Sequence, residues 1–435
     1  MADLSYVRSQ MMDEQPAPAT SAGIIGWVRE NLFSGWFNSI MTLLSLAAIY
    51  FVLSAVVPWI LSPTWNATSL SECREILAAL GRGGEHGGGA CWGVIRDRWI
   101  QLLFGFYPSE LYWRPILAFV MLGVALAPVL FAEKVPAKLI WFSAVYPFIF
   151  PWLLWGGTIW GPLAVLAGFV IGGVAYKYAS DMLSDLFGIV LGVAAAVIWW
   201  LFLASPISGA LAGILPIGIE GVESRNFGGL MLSITIGIVA IACSLPLGVV
   251  LALGRQSDLL IVKALCVGFI EFIRGVPLIT LLFVASTLLN IFMPPGTNFD
   301  IILRVIIMAT IFSAAYMAET IRGGLAALAR GQYEAADALG LDYWKSQRLI
   351  IMPQALKISI PGIVGNFIGL FKDTTLVSII GLLDPLGLSN GIRANAEWNG
   401  IVWEIYGFIA LMFFVFCFSM SRYSMYLERK LKTSH

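Results

Sequence analysis

The chain has 435 residues, 59% of them apolar and only 12% charged, with 26 basic against 26 acidic side chains and a mean hydropathy of +0.85. A soluble protein needs far more surface charge than this, so the composition excludes one. The net charge of zero is silent about partners, and no nucleic-acid partner is expected. Two His and five scattered Cys form no CxxC or HExxH spacing, so no metal site, bound cofactor or catalytic cluster is expected.

The apolar residues fall in runs long enough to cross a hydrocarbon core of about 30 Å as helices. The expected fold is all-α and polytopic, with about ten transmembrane helices. Residues 1–40 are polar to amphipathic and read as a cytoplasmic segment, with Ile24 to Ile40 lying along the membrane interface. The first apolar run starts too late for a cleaved signal peptide. It reads as a retained span over 41–61, followed by spans over 115–132, 139–155, 158–175, 186–204, 229–253, 264–290, 301–321, 356–382 and 403–427. Around Gly156 and Gly157, a tight turn between two spans and a single bent segment are both open. The chain divides near residue 225 into an accessory region, 41–225, and a second half, 226–435. The halves show no repeat, which counts against an inverted-repeat transporter.

Lys and Arg set the orientation. With a cytoplasmic amino terminus, inner segments carry 16 basic residues and outer ones seven, five of these in the loop 62–114. Both termini are therefore expected in the cytoplasm. The loop 62–114 then faces an oxidising compartment, where Cys73 and Cys91 are candidates to pair; two free thiols are the alternative. Its glycine-rich run from Gly81 to Gly89 reads as a hinge.

A polar block of 322–355 separates two spans on the cytoplasmic side. Glu334, Ala335 and Ala336 open a run of good helix formers. Gly340 breaks it with a left-handed turn, Asp342 caps a second helix to Ile351, and Pro353 fits the first turn of the next. Such a helix–turn–helix can dock on a partner and move as a rigid body. The offsets of Glu334, Ala335, Ala336, Gly340, Ile350 and Pro353 resemble the EAA loop of ABC-importer permeases. Met352 departs from the pattern, standing where Leu is usual, a volume-conserving swap. Glu271 to Leu278 (EFIRGVPL), Ala318 to Gly324 (AETIRGG) and Lys372 to Leu376 (KDTTL), followed by Ile380-Gly381, are similar to three further motifs of the polar amino acid permeases. In the first half, Arg29 to Phe33, Cys73 to Ile76 and Ala90 to Trp92 resemble the extended permeases of general L-amino acid systems, including those for glutamate, glutamine, aspartate and asparagine. The resemblance implies a five-helix permease core in 226–435. It also implies a bacterial inner-membrane location, a second homologous permease subunit, two ATPase subunits and a periplasmic amino-acid-binding protein. There is no G-x-x-x-x-G-K-[ST] sequence, so ATP and Mg belong to the partner ATPase.

Ionisable residues inside spans are costly unless paired or wet. Glu271 with Arg274, and Glu319 with Arg322, stand three apart and read as structural ion pairs near the inner face, with a functional role for the first pair and solute contact for the second as the alternatives. Arg304 is placed to snorkel outward. Lys372 and Asp373, with Thr374, Thr375 and Asn366, are solute-path candidates, because an amino acid needs a partner for each of its two charges. Contacts at a helix break are the plain alternative for them. An autonomous ion-coupled transporter or channel is the alternative function.

Overall fold

The structure, a computed structural model, describes residues 23–82, 88–182, 184–292 and 299–431. Residues 1–22 of the amino-terminal segment, Gly83 to Gly87 of the glycine-rich run, His86, Lys432 and His435 lie outside them. The chain forms two compact units divided between Gly93 and Val94.

The first unit holds α1 (Gly23–Asn31), α2 (Trp36–Ile60) and α3 (Leu70–Ala79). The stretch expected along the interface is thus split: α1 ends at Asn31, and Trp36 to Ile40 already belong to the α2 span. Apart from Asn38, every residue of α2 is apolar or small, and none is buried, as suits a helix whose solvent is lipid. Ser69 caps α3 by accepting from the Glu72 N–H, and Glu72 reaches back to Thr68. Trp92 stacks on Trp65 at 5.5 Å and meets Trp59 edge-on. Cys73 and Cys91 are bonded, with Cα atoms 5.8 Å apart.

The second unit begins with α4 (Gly93–Phe104), whose first residue lies at the division, and continues with α5 (Trp113–Leu130) and α6 (Ile140–Trp155). Gly156 and Gly157, both with positive φ, make a tight turn after α6 and resolve the open choice there in favour of two separate helices. A short ladder of β1 (Gly157–Thr158) with β2 (Gly218–Ile219) brackets α7 (Trp160–Met182), α8 (Asp185–Ile198) and α9 (Ala204–Ile214). Then come α10 (Gly229–Gln256), α11 (Leu260–Gly275), α12 (Leu278–Phe292), α13 (Ile301–Ala326), α14 (Arg330–Ala338), α15 (Tyr343–Ser346), α16 (Met352–Asp373), α17 (Pro385–Ala394) and α18 (Trp403–Leu431).

Among the described residues, nine helical stretches are long and apolar enough to cross a membrane. The single span expected over 264–290 is instead the pair α11 and α12, bent by 99°. Val276 and Pro277 cause the break: proline supplies no N–H and pushes the residue before it out of the helical region. The span expected over 356–382 also differs. Its helix runs unbroken from Tyr343, because a wide turn over Gln347–Ile351 carries the chain past Pro353, with Met352 N–H bonded to Gln347 O. The last predicted turns, Thr374–Ile380, tighten into a 3₁₀ helix that Gly381 stops at φ 87.

Helices α10 and α13 run parallel at close range. Ser313 donates to Ser244 at 3.1 Å, and Gly248 faces Met317 with no room for a Cβ. Gly324 meets the Ala355 carbonyl of α16 in the same way. Leu122, Ala125 and Tyr146 of α5 and α6 share one buried cluster with Leu232 and Ile236 of α10 and Ile302 and Ala309 of α13. These elements all belong to the second compact unit, which begins at Val94.

Candidate functional site

The block after α13 takes its shape from its own sequence. Helix α14 ends at Ala338, and Gly340 enters the left-handed region at φ 67. Gly340 N–H then bonds Asp337 O, and Leu341 N–H bonds Ala336 O. These two bonds are a Schellman stop, which satisfies carbonyls that the helix end would orphan. Asp342 caps α15 by accepting from Lys345 N–H at 2.9 Å and pairs with its ammonium at 3.0 Å. Ala336 is wholly buried, as is Ile351 beneath the block. Gln354 of α16 donates to Gln332 of α14 at 3.0 Å, fixing the block to the helix that follows. Glu334 and Ala335 face outward, as do Leu339, Tyr343, Trp344 and Leu349, although the last four are large and apolar; Ile350 and Pro353 are partly exposed or exposed. Leu339, Tyr343, Trp344 and Leu349 are large exposed side chains on an otherwise polar segment.

Beside the block lies a charge cluster larger than the two expected pairs. Glu319 accepts from Arg322 at 2.5 Å and from Arg255 at 3.2 Å, with Arg274 at 3.8 Å. Glu271 pairs with Arg255 at 2.9 Å and stands 4.0 Å from Arg274. Glu319 is thus the centre of a network joining α10, α11 and α13. Arg255 was absent from the sequence-based set because it lies 64 residues from Glu319, and only the packing of α10 on α13 brings it there. The Arg274 guanidinium also lies over the Tyr316 ring, 5.5 Å from its centroid.

Tyr316 is a wall of a cavity of about 260 Å³ between α13 and α16, with Ser313, Asn366, Gly369 and Asp373 on its lining. Of the five solute-path candidates, Asn366 and Asp373 come together here, two turns apart on one face of α16. Asn366 also donates to Thr320 Oγ1 at 2.8 Å. Thr374 turns into the core and bonds Phe371 O. Thr375 bonds Lys372 O, and Lys372 itself is exposed away from the cavity.

A second cavity, of about 810 Å³, opens at the far end of α13. Arg304 lines it and reaches past the start of α13, where Nε bonds Phe299 O at 2.9 Å and Nη1 bonds Ser286 O at 3.0 Å. Trp155, Ser224 and Asp300, also on its wall, had no sequence signal as a group. Trp155 lies 69 residues before Ser224 and Asp300 lies 76 after it, and only Asp300 announces itself, as the N-cap of α13.

No group of three or more His, Cys, Asp or Glu side chains among the described residues is arranged to hold a metal.

Residues 244–433 match the family described as binding-protein-dependent transport system inner membrane component. The chain is 59% identical over 436 residues to the glutamate/glutamine/aspartate/asparagine transport system permease protein BztC of Rhodobacter capsulatus, with 100% of both chains covered. It is 38% identical to the inner membrane amino-acid ABC transporter permease protein YhdY of Escherichia coli K12, with 96% of both covered. A solved structure of an amino acid ABC transporter with histidines is 30% identical, spans 46% of this chain and 91% of that one, and superposes with a TM-score of 0.42.

Proposed function

The chain belongs to the binding-protein-dependent inner-membrane permease family, as the multi-pass permease subunit of a polar amino acid ABC importer and not itself an ATPase, and from that premise we propose how it works and what it carries. The cargo is glutamate, glutamine, aspartate and asparagine. The observation that carries this reading is likeness over the whole chain, accessory spans included, to a permease named for those four amino acids.

Membership implies ATPase and binding-protein partners in general. Our finer reading is one related permease subunit, two ATPase subunits using ATP and Mg, and one periplasmic binding protein, with both termini of this chain in the cytoplasm. The permease core is 226–435 and the accessory region 41–225. Residues Glu334 to Pro353 form the ATPase-docking element, supported by the exposed apolar patch and the rigid stop at Gly340. ATPase closure moves this element, and α16, continuous with it, carries the movement to Asn366 and Asp373. These two face one cavity and are the strongest candidates of the solute-path set. The chain makes and breaks no covalent bond; it alternates access to a path. In the loop 62–114 the Cys73–Cys91 bond closes a short loop and holds α3 to the segment around Trp92.

Reconstituting the complex in proteoliposomes, with and without its ATPase, tests the reading. ATP-dependent uptake of the four amino acids is expected, and flux that persists without ATPase would mark an autonomous transporter instead. Thiol labelling of native membranes before and after reduction tests the disulfide; full labelling of Cys73 and Cys91 without reductant excludes it.

A further inference from the structure

We propose that the 810 Å³ cavity at the end of α13 away from the coupling block is an entry site for the zwitterion of an α-amino acid, with Arg304 taking its carboxylate. The proposal rests on the amino acid importer reading above and deepens it. Arg304 and Ser313, which line the two cavities, stand nine residues apart on α13, roughly 14 Å along its axis. This cavity is therefore distinct from the one that holds Asp373, halfway along the path.

Arg304 carries the argument. A guanidinium has five N–H donors. Three bonds to the carbonyls of Phe299 and Ser286 fix its plane and leave two donors unused. Carbonyls orient the charge without neutralising it. No carboxylate among the described residues lies within ion-pair distance of Arg304, although it is half-buried at the end of a membrane helix. A fixed, uncompensated guanidinium with free donors is suited to a bidentate carboxylate.

The opposite charge is also present. Asp300 spends one oxygen on the N–H groups of Ile302 and Leu303, and the other accepts from Ser224 with one lone pair to spare. Glu223 is exposed on the rim, ready for an ammonium. The cavity thus offers both signs, and its volume lies in the range of small-molecule sites.

The wall is partly accessory. Trp155, at the end of α6, stacks on Phe227 with centroids 4.5 Å apart and donates to Ser224 Oγ at 2.6 Å, and Ser224 in turn holds Asp300. Without α6 this chain of bonds has no origin. One use of the extra spans is therefore to complete a polar antechamber that the core lacks alone.

The test uses the intact permease–ATPase complex in proteoliposomes, with its binding protein supplied wherever uptake is measured and left out of the labelling with L-glutamine. Thr287 lines the cavity, and Thr287→Cys gives a reporter there, read by peptide mass spectrometry after brief thiol labelling. L-glutamine is expected to slow labelling at 287 at least about threefold, and L-glutamine amide, which lacks the carboxylate charge, to leave it unchanged. Arg304→Gln should abolish the protection and raise KM for L-glutamine uptake about tenfold with kcat nearly kept; Arg304→Lys should recover part of both. A complex that takes up L-glutamine with ATP yet shows no protection overturns the entry site, as does equal protection by the amide or unaltered KM in Arg304→Gln. Protection by ligand-free binding protein with none from L-glutamine also overturns it, since Arg304 then answers to an acidic side chain of that protein. If Arg304→Gln fails to assemble, the comparison of L-glutamine with its amide decides alone. Absence of any ATP-driven amino acid uptake by the wild type is the separate failure of the importer reading.

Discussion

A turn and a cap show how single residues set the behaviour of the cytoplasmic block and of the opposite end. At Gly340 nothing stands within 4 Å of where a Cβ would lie, so only the positive φ restricts this position. Gly340→Val should cost about 1–2 kcal/mol and open the turn, whereas Asn, which visits the left-handed region, should keep it. Copurification with the ATPase should fall for Val and persist for Asn; equal binding by both variants would falsify the docking role. Asp384 is fully buried, where it caps α17 through the N–H groups of Leu386 and Gly387. Burial outweighs those two bonds and pushes its carboxyl up to about 6, from an ordinary 3.8. With the folded value above the unfolded one, the favoured state is the neutral acid. Its contribution is full below about pH 4, is lost as pH rises to about 6, and is then constant, a swing on the order of 3 kcal/mol. Asp384→Asn keeps a cap and cannot ionise. Its melting temperature relative to the wild type should climb between pH 4 and 6, and a flat difference would contradict the assignment. Gly340 was legible because a glycine at a helix stop announces its φ. The burial of Asp384 was not, since nothing in the local sequence marks an N-cap Asp as enclosed.

Among the elements, the network at Glu319 explains why the short motifs of α11 and α13 carry the same residue types. Each motif supplies an acid and an arginine three residues apart, and the pairs were legible from that spacing alone. Their union, through Arg255 on α10, depends on how three helices pack and has no local signature. The side chain of Glu319 is 23% exposed and faces three guanidinium groups, while that of Glu271 is 53% exposed and faces two. Removing the less exposed acid leaves more charge unpaired. Glu319→Gln should therefore cost about 3 kcal/mol and Glu271→Gln no more than about 1. Thermal melting of the purified chain gives the comparison, and equal losses would mean that the network has no centre. The bend between α11 and α12 belongs to the same scale. Pro277 is a helix breaker by its chemistry, yet the 99° turn has no local signature, because its angle is set by what the two halves pack against.

At the scale of the whole molecule, spans differ in how many of their own residues are buried. Helix α2 buries none of its 25 residues, whereas α5 buries Ala118, Leu122 and Ala125 in the cluster that also holds α10 and α13. Hydropathy treats both as apolar runs of similar strength, so the ten runs were countable in the sequence while their division of labour was hidden. A lipid-facing helix gains nothing from its particular side chains beyond being apolar, since lipid tails are as apolar as Leu. Replacing Met41 to Val57 by an unrelated apolar helix of equal length should therefore leave the melting temperature of the purified chain unchanged. Ala118 is wholly buried, so Ala118→Leu adds volume to a filled site and should cost about 1–3 kcal/mol. The two changes alter hydropathy little, and they differ in whether a neighbouring helix must yield. If replacing the α2 side chains lowers stability as much as Ala118→Leu does, α2 has protein and not lipid against it, and the accessory region contributes a second packed surface.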